Sequence, residues 1–425
     1  MKAEPCAVLR DPANGASIRG LRVLTFTSLF PSVARPRHGI FVETRLRHLV
    51  RDAGIDARVV APVPWFPFRS SAFGTYARYA ATPRRTTRDS GLEVSHPRYL
   101  MLPRMGVAFQ PDSMARAAAR DVAEWQRAGW QPDIVDAHYF YPDGVAAALL
   151  AARLGVPLVI TARGTDVNVL GRLPGPARRI LWAARQAAAV IAVSTRLKQA
   201  LVEIGVEESK VVVVRNGVDA DLFCPQDQVA ARERLGLPPG RLAACVGNLV
   251  PEKGFALAIE ALRGLDGFNL VIVGDGPSRE DLFQLARRLG VEQRVRFVSA
   301  MPQQQLRDLY SSADVLLLTS TREGWPNVVL ESLACGTPVV ALDVGAVGEM
   351  ITSPQVGRIV TTRDATQLAS AVRDAIGSAG SPEQIHDHAA TFDWASVSRA
   401  QIEVMARARS GRPEAVAVQS PGARA

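Results

Sequence analysis

Short runs rich in β-branched residues alternate with longer amphipathic segments along most of the chain, beginning at Leu21. Short apolar runs favour buried strands, and apolar residues recurring every three or four positions favour helices, so the alternation predicts βαβ units. Such units build a parallel sheet with helices packed on it. The predicted strands of the first half are 21–26, 57–61, 134–137, 158–161 and 190–193, and the predicted helices are 41–53, 113–129, 144–154 and 175–188.

The alternation restarts after a turn-rich junction near 205–225, which predicts a second domain of the same kind. A single hydrophobic core stops growing at roughly 250–300 residues, and the chain has 425 residues. The predicted strands of the second half are 243–246, 269–273, 296–298, 315–319, 339–342 and 357–360, and the predicted helices are 254–264, 278–290, 303–312, 326–335 and 365–377. We therefore predict an α/β protein with Rossmann-like domains at 21–205 and 206–385, a helical segment at 386–410 that packs against either domain, and flexible segments at 1–20 and 411–425.

Charge and cysteine content narrow the class of protein. The net charge of +9 comes mainly from arginine and favours acidic partners, but no recognisable nucleic-acid-binding module accompanies it. No apolar run approaches the roughly 20 residues that cross a bilayer, and residues 1–20 lack the apolar core of a signal peptide. The four cysteines are scattered and lack metal-ligand spacing, so we expect a reducing, cytoplasmic setting.

One segment, 65–104, combines aromatic residues with arginines and contains few acids. Such a surface fits an anionic membrane or a phosphorylated acceptor, and an ordinary solvated loop is the alternative. The aromatic residues are Trp65, Phe66, Phe68 and Phe73, and the arginines are Arg69, Arg78, Arg84, Arg85, Arg88, Arg98 and Arg104.

The informative loops are expected directly after strands, because ligands of open parallel sheets bind at the carboxyl ends of the strands. In 246–254 a strand ends at Gly247, and Lys253 precedes the next predicted helix. A glycine admits a ligand close to the backbone, and a helix N-terminus beside a lysine attracts phosphate. A surface lysine before a helix is the alternative reading. A Gly-x-Gly turn at 274–276 is a weaker signal of the same kind.

The segment 322–342 contains two carboxylates, Glu323 and Glu331, around an apolar helix that we predict to begin at Pro326 and to end before Gly336. The helix is apolar on most sides, which predicts burial. A buried carboxylate is costly unless donors surround it. Sugar and ribose hydroxyls are suitable donors.

The order and spacing of several motifs resemble the retaining nucleotide-sugar glycosyltransferases of family 4. That family has the GT-B fold, in which two Rossmann-like domains face each other across a cleft. The resemblance covers about 21–400. The matching motifs are Glu-x7-Glu at Glu323 and Glu331 with the following Ala-Cys-Gly-Thr-Pro-Val-Val, Glu349, Gly39, Asp136-Ala-His138, the segment 161–166, Arg215-Asn-Gly-Val-Asp219 and the segment 246–253.

The resemblance implies roles for the matching residues. Glu323 would bind hydroxyls of the donor sugar, and Glu331 would bind the nucleotide ribose. Lys253 would neutralise the diphosphate, so Glu323 and Lys253 are the catalytic candidates. Gly39 would let the N-terminal loop close over the phosphates. The further donor-binding candidates are Arg163, Gly247, Asn248, Gly324, Pro326, Asn327 and Val328.

Two positions depart from the family pattern. The family often has Arg where Asn248 stands and His where Arg163 stands, which bears on donor preference. Arg163 could reach the diphosphate or only pair with Asp166. His138 is a candidate acceptor-side residue, with a packed strand-end histidine as the alternative. Asp219-Ala-Asp221 matches a metal-binding pattern of another fold, but its position in a turn favours capping, so we expect neither metal nor cofactor.

The resulting prediction is a retaining, metal-independent hexosyltransferase. It would move a sugar from a nucleotide diphosphate sugar to a lipid-linked or surface-polysaccharide glycan at the cytoplasmic face of the membrane. The alternatives are a sugar-nucleotide epimerase or hydrolase on the same fold, and a non-catalytic nucleotide-sugar-binding subunit. A nicotinamide oxidoreductase is disfavoured because the first strand leads into Thr27-Ser-Leu-Phe-Pro-Ser rather than Gly-x-Gly-x-x-Gly.

Overall fold

The computed structural model describes residues 20–101 and 109–411. Apart from Gly20 and Gly411, the predicted flexible ends lie outside the described residues, as does Arg104. The chain divides into two compact units, one containing the residues up to Arg215 together with those from Trp394, and the other containing Asn216–Asp393.

The first unit is built on an eight-stranded sheet. The strands of this unit, including two outside the large sheet, are β1 (Arg22–Phe26), β2 (Asp56–Val60), β3 (Val63–Pro64), β4 (Arg85–Thr87), β5 (Glu93–Ser95), β6 (Arg98–Tyr99), β7 (Ile134–His138), β8 (Leu158–Ala162), β9 (Ala189–Ala192) and β10 (Val211–Val213). Its first seven helices are α1 (Ile40–Ala53), α2 (Thr75–Ala81), α3 (Gln110–Arg127), α4 (Val145–Leu154), α5 (Thr165–Asn168), α6 (Pro174–Gln186) and α7 (Thr195–Glu203). The strand order is β10-β9-β8-β7-β1-β2-β5-β4, and β3 pairs separately with β6. The pairs of the large sheet are parallel except β4 with β5.

The second unit is built on a six-stranded parallel sheet in the order β13-β12-β11-β14-β15-β16. Its strands are β11 (Arg241–Val246), β12 (Phe268–Val273), β13 (Val295–Val298), β14 (Val315–Leu318), β15 (Val339–Leu342) and β16 (Gly357–Val360). Its helices are α8 (Gln228–Leu235), α9 (Phe255–Ala261), α10 (Arg279–Arg288), α11 (Gln303–Ser312), α12 (Asn327–Ala334), α13 (Val347–Met350), α14 (Ala365–Ser378) and α15 (Pro382–Ala390). The central strands are almost wholly apolar because both faces of a parallel sheet are covered.

The last described helix, α16 (Trp394–Ser410), belongs to the first unit. Its apolar face lies in the same core cluster as Val42, Leu46 and Leu49 of α1. Trp394 also stacks on His48 of α1 with ring centroids 5.3 Å apart. The predicted helical segment 386–410 is therefore two helices in two units, since α15 lies in the second unit.

The predicted division of the chain at 205/206 is also corrected. Val211 of β10 pairs with Val190 of β9, which extends the first sheet by one strand. The residues between 206 and 215 therefore belong to the first unit, and the junction lies ten residues later than predicted. The sequence analysis missed β10 because a three-residue apolar strand does not establish a period.

The prediction of two Rossmann-like parallel sheets is confirmed, with element boundaries within a few residues of the predicted ones. Among the residues described, no helix is both long and apolar enough to traverse a bilayer.

Candidate active site

Two neighbouring loops of the second unit carry the carboxylate and the lysine singled out in the sequence. One follows β11 and the other follows β14, and these strands are adjacent in the sheet. The loops are joined by Thr321 N–H donating to Glu252 O at 2.8 Å and by the Thr319 hydroxyl donating to Lys253 O at 3.1 Å. The carboxyl ends of the two strands therefore present one continuous surface.

Lys253 and Glu323 meet on this surface. The Lys253 ammonium donates to Glu323 Oε1 at 2.6 Å, and the Ser320 hydroxyl donates to the same oxygen at 2.7 Å. The Glu323 side chain is 13% exposed and that of Lys253 is 28% exposed. These hydrogen bonds hold the two side chains in place, and the exposed part of each is accessible to a ligand.

The second carboxylate, Glu331, lies inside α12. It accepts a hydrogen bond from the Tyr310 hydroxyl at 2.9 Å. Burial raises the pKa of Glu331 to about 7, and the Tyr310 hydrogen bond opposes part of that rise. Near neutral pH Glu331 therefore changes its charge readily. Tyr310 was not found in the sequence analysis, because its contact with Glu331 crosses from α11 to α12.

The N-terminus of α12 directly follows the loop that carries Glu323. Pro326 is the residue before the first turn, so the helix begins one residue later than predicted. Gly324 and Val328 lie half-buried on either side of this start. The Asn327 side chain accepts from Asn216 Nδ2 at 3.2 Å. Gly336 follows the helix with a left-handed φ of 78°, as its predicted stop position requires.

The glycines of the β11 and β12 loops are required by backbone packing. A Cβ on Gly274 would lie 1.8 Å from Gly247 O, and one on Gly254 would lie 2.2 Å from Thr319 O. The Gly-x-Gly turn after β12 thus supports the β11 loop from behind, where Leu249 N–H donates to Asp275 O at 2.9 Å.

Asn248 is exposed, and a cation that the sequence analysis missed lies near the Lys253 loop. Arg363, in the loop after β16, donates to Thr319 O at 3.1 Å. Its Nη2 would be 2.8 Å from a Cβ on Gly254. The rule that functional residues follow strands pointed to this loop, but nothing in the sequence brings it beside Lys253.

In the first unit, Arg163 directly follows β8. Its guanidinium donates to His138 Nδ1 at 2.6 Å and lies 5.1 Å from the centre of the Phe41 ring. Asp166 accepts the backbone amides of Phe140, Arg163 and Gly164 at 2.6, 3.1 and 2.7 Å. The carboxylate therefore closes the loop, while the side chain of Arg163 lies against His138.

His138, the candidate acceptor-side residue, is packed, as the alternative of a strand-end histidine expects. It is 1% exposed, and its Nε2 lies 3.2 Å from Asp136 Oδ2. Burial, with the nearby Arg163, lowers the pKa of His138 to about 4, against the opposing effect of Asp136. The ring is thus neutral and packed beneath Arg163.

Gly39 caps the start of α1 with φ of 76°, and a Cβ there would lie 2.1 Å from Leu29 O. It therefore permits the tight loop after β1.

Asp219 accepts from Leu222 N–H at 3.1 Å, as expected of a residue that closes a turn. Among the described residues, no group of three His, Cys, Asp or Glu side chains is arranged to hold a metal ion.

The same first unit contains a cavity of about 450 Å³. Arg35, His38 and Tyr79 line it, and none of the described lining residues is acidic. Burial lowers the pKa of His38 to about 4, and the charge of Arg35 contributes, so His38 is neutral. An exposed aromatic cluster, in which Phe66 contacts Phe68, Phe73 and Tyr76, adjoins the cavity through Tyr76.

Most arginines of the predicted basic surface at 65–104 are paired within the fold. Arg84 pairs with Asp121, Arg85 with Glu124, and Arg88 with Glu43, because α1 and α3 present carboxylates to this segment. Arg98 donates to the backbone carbonyls of Tyr79 and Thr82. Arg69 and Arg78 remain exposed beside the aromatic cluster.

Comparison with known proteins agrees with both units. The family model described as Glycosyltransferase Family 4 matches residues 38–222, and the model described as Glycosyl transferases group 1 matches residues 228–391. TuaC of Bacillus subtilis (strain 168), named for glycosyl transfer in teichuronic acid biosynthesis, is 32% identical over 359 residues, which cover 83% of this chain and 88% of TuaC.

Solved structures share the fold at lower identity. Sucrose-phosphate synthase from Thermosynechococcus elongatus superposes with a TM-score of 0.72 at 18% identity, covering 90% of this chain and 97% of the other. Anabaena HepE in complex with UDP-glucose gives a TM-score of 0.65 at 22% identity, covering 90% and 97%. The two Rossmann-like sheets therefore have the GT-B fold, and the chain belongs to the group 1, family 4 glycosyltransferases.

Proposed function

We propose that the chain transfers a hexosyl unit from a nucleotide diphosphate sugar to an acceptor hydroxyl with retention of the anomeric configuration. The observation that carries the proposal is the Lys253–Glu323 pair at 2.6 Å, held in adjoining loops before the N-terminus of α12. This arrangement sets positive charge for a diphosphate next to a carboxylate for sugar hydroxyls. HepE, a structural neighbour, is described in complex with UDP-glucose, which supports a nucleotide sugar as the donor class.

The charges on this surface fit a leaving diphosphate. Lys253 and the amides at the start of α12 would neutralise the charge that develops on the phosphate oxygen. Arg363 would replace the arginine that the family often has at the position of Asn248. These cations supply the stabilisation that a divalent metal provides in other transferases, so we propose that the reaction needs neither metal nor cofactor. The half-buried Glu331 would accept hydrogen bonds from the ribose.

For retention we propose reaction on one face of the sugar. The bond from the anomeric carbon to the diphosphate oxygen breaks, a bond to the acceptor oxygen forms on the same face, and the acceptor proton passes to the departing phosphate. Glu323 is already paired with Lys253 and Ser320, so its role is to orient the donor rather than to attack it. Retention is supported by the resemblance of the Glu-x7-Glu motif to that of the retaining glycosyltransferases of family 4.

A thermal-shift screen of nucleotide sugars tests the donor assignment. A donor present at 100 times its Kd stabilises the bound fold by about 2.7 kcal/mol, which raises the Tm by about 5–10 °C. Lys253→Met is expected to abolish the rise. Lys198→Met is the matched control, because Lys198 pairs with Glu208 in the other unit. A rise that survives in Lys253→Met would contradict the role of Lys253.

Product analysis separates the alternatives. An epimerase or hydrolase would convert the donor without an acceptor, and a non-catalytic subunit would bind the donor and leave it intact. A transferase consumes the donor at its full rate only with an acceptor.

Nucleotide affinity is expected to fall about tenfold between pH 8 and pH 6. Glu331 accepts ribose hydroxyls best when ionised, and its pKa is about 7, so most of the carboxylate is protonated at pH 6. Tyr310→Phe removes the donor that favours ionisation and is expected to move the midpoint up by about one unit. Calorimetric titration at several pH values measures both effects, and Glu331→Gln is expected to give a flat profile.

The same pKa has a consequence for stability. Because burial raises the folded-state pKa of Glu331, the folded protein holds this proton more tightly than the unfolded chain does. The contribution of this proton to the free energy of unfolding is complete below the unfolded pKa of about 4.5. It is lost as the pH rises through about 7. Bound nucleotide would offset the loss.

For the acceptor, the cavity of the first unit and the aromatic cluster beside it support a lipid-linked anionic glycan. Arg35 is a charged donor, and none of the described residues that line the cavity with it is acidic. The exposed rings of Phe68 and Phe73 fit an apolar environment. TuaC is named for teichuronic acid biosynthesis, which supports a surface polysaccharide. We therefore place the reaction at the cytoplasmic face of the membrane, with Arg69 and Arg78 facing anionic headgroups.

Replacing the exposed aromatic residues tests the membrane contact. Phe68→Ser combined with Phe73→Ser is expected to reduce binding to phosphatidylglycerol vesicles and transfer to a lipid-linked acceptor, while transfer to a water-soluble acceptor fragment stays unchanged. Arg35→Gln is expected to raise the KM of both acceptors by about 10–100-fold. Arg47→Gln, an exposed arginine of α1 outside the cavity lining, is the control. Equal loss for both acceptors in the aromatic variant would contradict the membrane contact.

A further inference from the structure

A chain of polar side chains runs from Arg45 of α1, through Gln401 of α16, to Arg163. Arg45 Nε donates to Gln401 Oε1 at 2.6 Å, and Gln401 Nε2 donates to Asp136 Oδ2 at 2.9 Å. Asp136 Oδ2 lies 3.2 Å from His138 Nε2, and His138 Nδ1 lies 2.6 Å from Arg163 Nη2. We call these five residues the buried polar chain. Arg45, Asp136, His138 and Gln401 are each at most 1% exposed.

The chemistry of each group fixes the direction of every hydrogen bond. A guanidinium only donates, so Gln401 must turn its oxygen to Arg45 and its amide N–H to Asp136. The ionised Asp136 only accepts, which requires the proton of neutral His138 to be on Nε2. The Nδ1 lone pair is then available to accept from Arg163. One amide orientation at Gln401 is thus consistent with one tautomer at His138 and one position of the Arg163 guanidinium.

The charges around His138 come from several elements. Asp136 on β7 favours the protonated ring, whereas Arg163 after β8 and Arg45 on α1 disfavour it. Burial and the charge of Arg45 lower the pKa of Arg163, and Asp136 and Asp166 oppose this effect. Gln401 is uncharged, so it holds the Asp136 carboxylate by hydrogen bonding without altering this balance.

Packing alone does not explain such a chain. A buried polar network is often no more stable than apolar residues of the same volume, and a network missing one partner is costly. The chain ends at Arg163, at the carboxyl edge of β8 where ligands of parallel sheets bind. Gln401, which connects Arg45 to Asp136, lies on α16, 265 positions further along the sequence than Asp136.

We propose that Gln401 is a positioning residue for glycosyl transfer. Through Asp136 it holds His138 in the Nε2–H form. This form fixes the side chain of Arg163, the donor-binding candidate that follows β8. The docking of α16 thereby becomes a condition for an ordered site in the first unit. The catalytic consequence rests on the proposed function, whereas the proton arrangement does not.

The first measurement uses the wild-type full-length protein labelled with ¹⁵N-histidine. The chain has six histidines, and the signal of His138 is assigned by its loss in His138→Gln. Nitrogen chemical shifts distinguish the two neutral tautomers and the charged ring. The expected result is a neutral Nε2–H ring between pH 6 and pH 8. A proton on Nδ1, or a charged ring in that range, would overturn the proposal.

The second measurement repeats the titration in Gln401→Glu and Gln401→Met. The glutamate keeps a partner for Arg45 and adds a negative charge beside Asp136, so the pKa of His138 is expected to rise by about one to three units. The methionine preserves length and removes the donor to Asp136, which is also expected to raise the pKa, by about one to two units. The glutamate introduces a buried charge and the methionine removes a hydrogen bond, so the two substitutions stress the fold in different ways, and a result from either folded variant tests the proposal.

Ser398→Ala is the matched control, because Ser398 is a buried residue of the same helix that donates to Asp52 at 2.9 Å and lies outside the buried polar chain. It is expected to lower stability and to leave the pKa of His138 and the pH profile of kcat/KM unchanged. The Gln401 variants are expected to lose about tenfold or more in kcat/KM at pH 7 and to shift that profile. If His138 titrates unchanged in both Gln401 variants, or shifts equally in Ser398→Ala, Gln401 has only a packing role and the proposal is overturned. Correct titration in a wild-type protein that transfers no sugar would reject the proposed function alone.

Discussion

Glu323→Gln is expected to lower kcat for sugar transfer by about 10²–10³-fold, the range observed when one preorganised electrostatic contact is removed. The carboxylate holds the Lys253 ammonium at 2.6 Å and accepts from Ser320 at 2.7 Å. An amide in its place removes the negative charge and presents either a weaker acceptor or an N–H group to Lys253. The lysine then loses its fixed position toward the diphosphate, and the sugar hydroxyls lose their charged acceptor.

Steady-state transfer with the donor identified by thermal shift measures this effect. Glu252→Gln is the matched control, because Glu252 pairs with Arg322 at 3.0 Å in the same two loops while both side chains are 46% exposed. Exposed pairs contribute up to about 1 kcal/mol, so its activity is expected within about fivefold of wild type. Turnover retained in Glu323→Gln would remove Glu323 from the mechanism.

Gly254→Ala is expected to destabilise the second unit by about 2–5 kcal/mol and to abolish donor binding. Gly254 has φ of 63°, and a Cβ there would lie 2.2 Å from Thr319 O and 2.8 Å from Arg363 Nη2. The strained backbone costs about 1–2 kcal/mol, and the clash adds a further 1–3 kcal/mol or more because a strand-end carbonyl cannot move freely. Relief of the clash separates the β11 and β14 loops and with them Lys253 from Glu323.

Gly267→Ala isolates the clash from the backbone strain. Gly267 has φ of 74° in the same unit, but a Cβ there would meet nothing within 4 Å. Urea unfolding of both variants is expected to show a small loss for Gly267→Ala and a larger one for Gly254→Ala, with donor-induced stabilisation kept only in the former. Equal losses would mean that the loops accommodate the methyl group.

The sequence predicted the elements that have a clear period and the residues that follow strands. The parallel sheets, the bounds of α11 and the stop at Gly336 follow from local patterns that act over a few residues. The positions of Lys253 and Glu323 after strands were also predicted, whereas their contact depends on the pairing of β11 with β14, which local patterns do not specify.

The features that were missed depend on contacts distant in sequence. Tyr310 reaches Glu331 across 21 positions, and Arg363 reaches Thr319 across 44. No periodicity encodes such pairs. The ion pairs of Arg84, Arg85 and Arg88 were missed for the same reason, since their carboxylate partners lie on α1 and α3.

The position of α16 affects how the protein is made. The core that contains α1 is completed by a helix that the ribosome synthesises after all of 216–393. At roughly 5–20 residues per second, this delay is about 10–40 s. The second unit is contiguous in sequence and can therefore fold during synthesis before the first unit is complete. Until α16 emerges, the nascent chain exposes the apolar face of α1, and this interval is when chaperone protection of the first unit matters most.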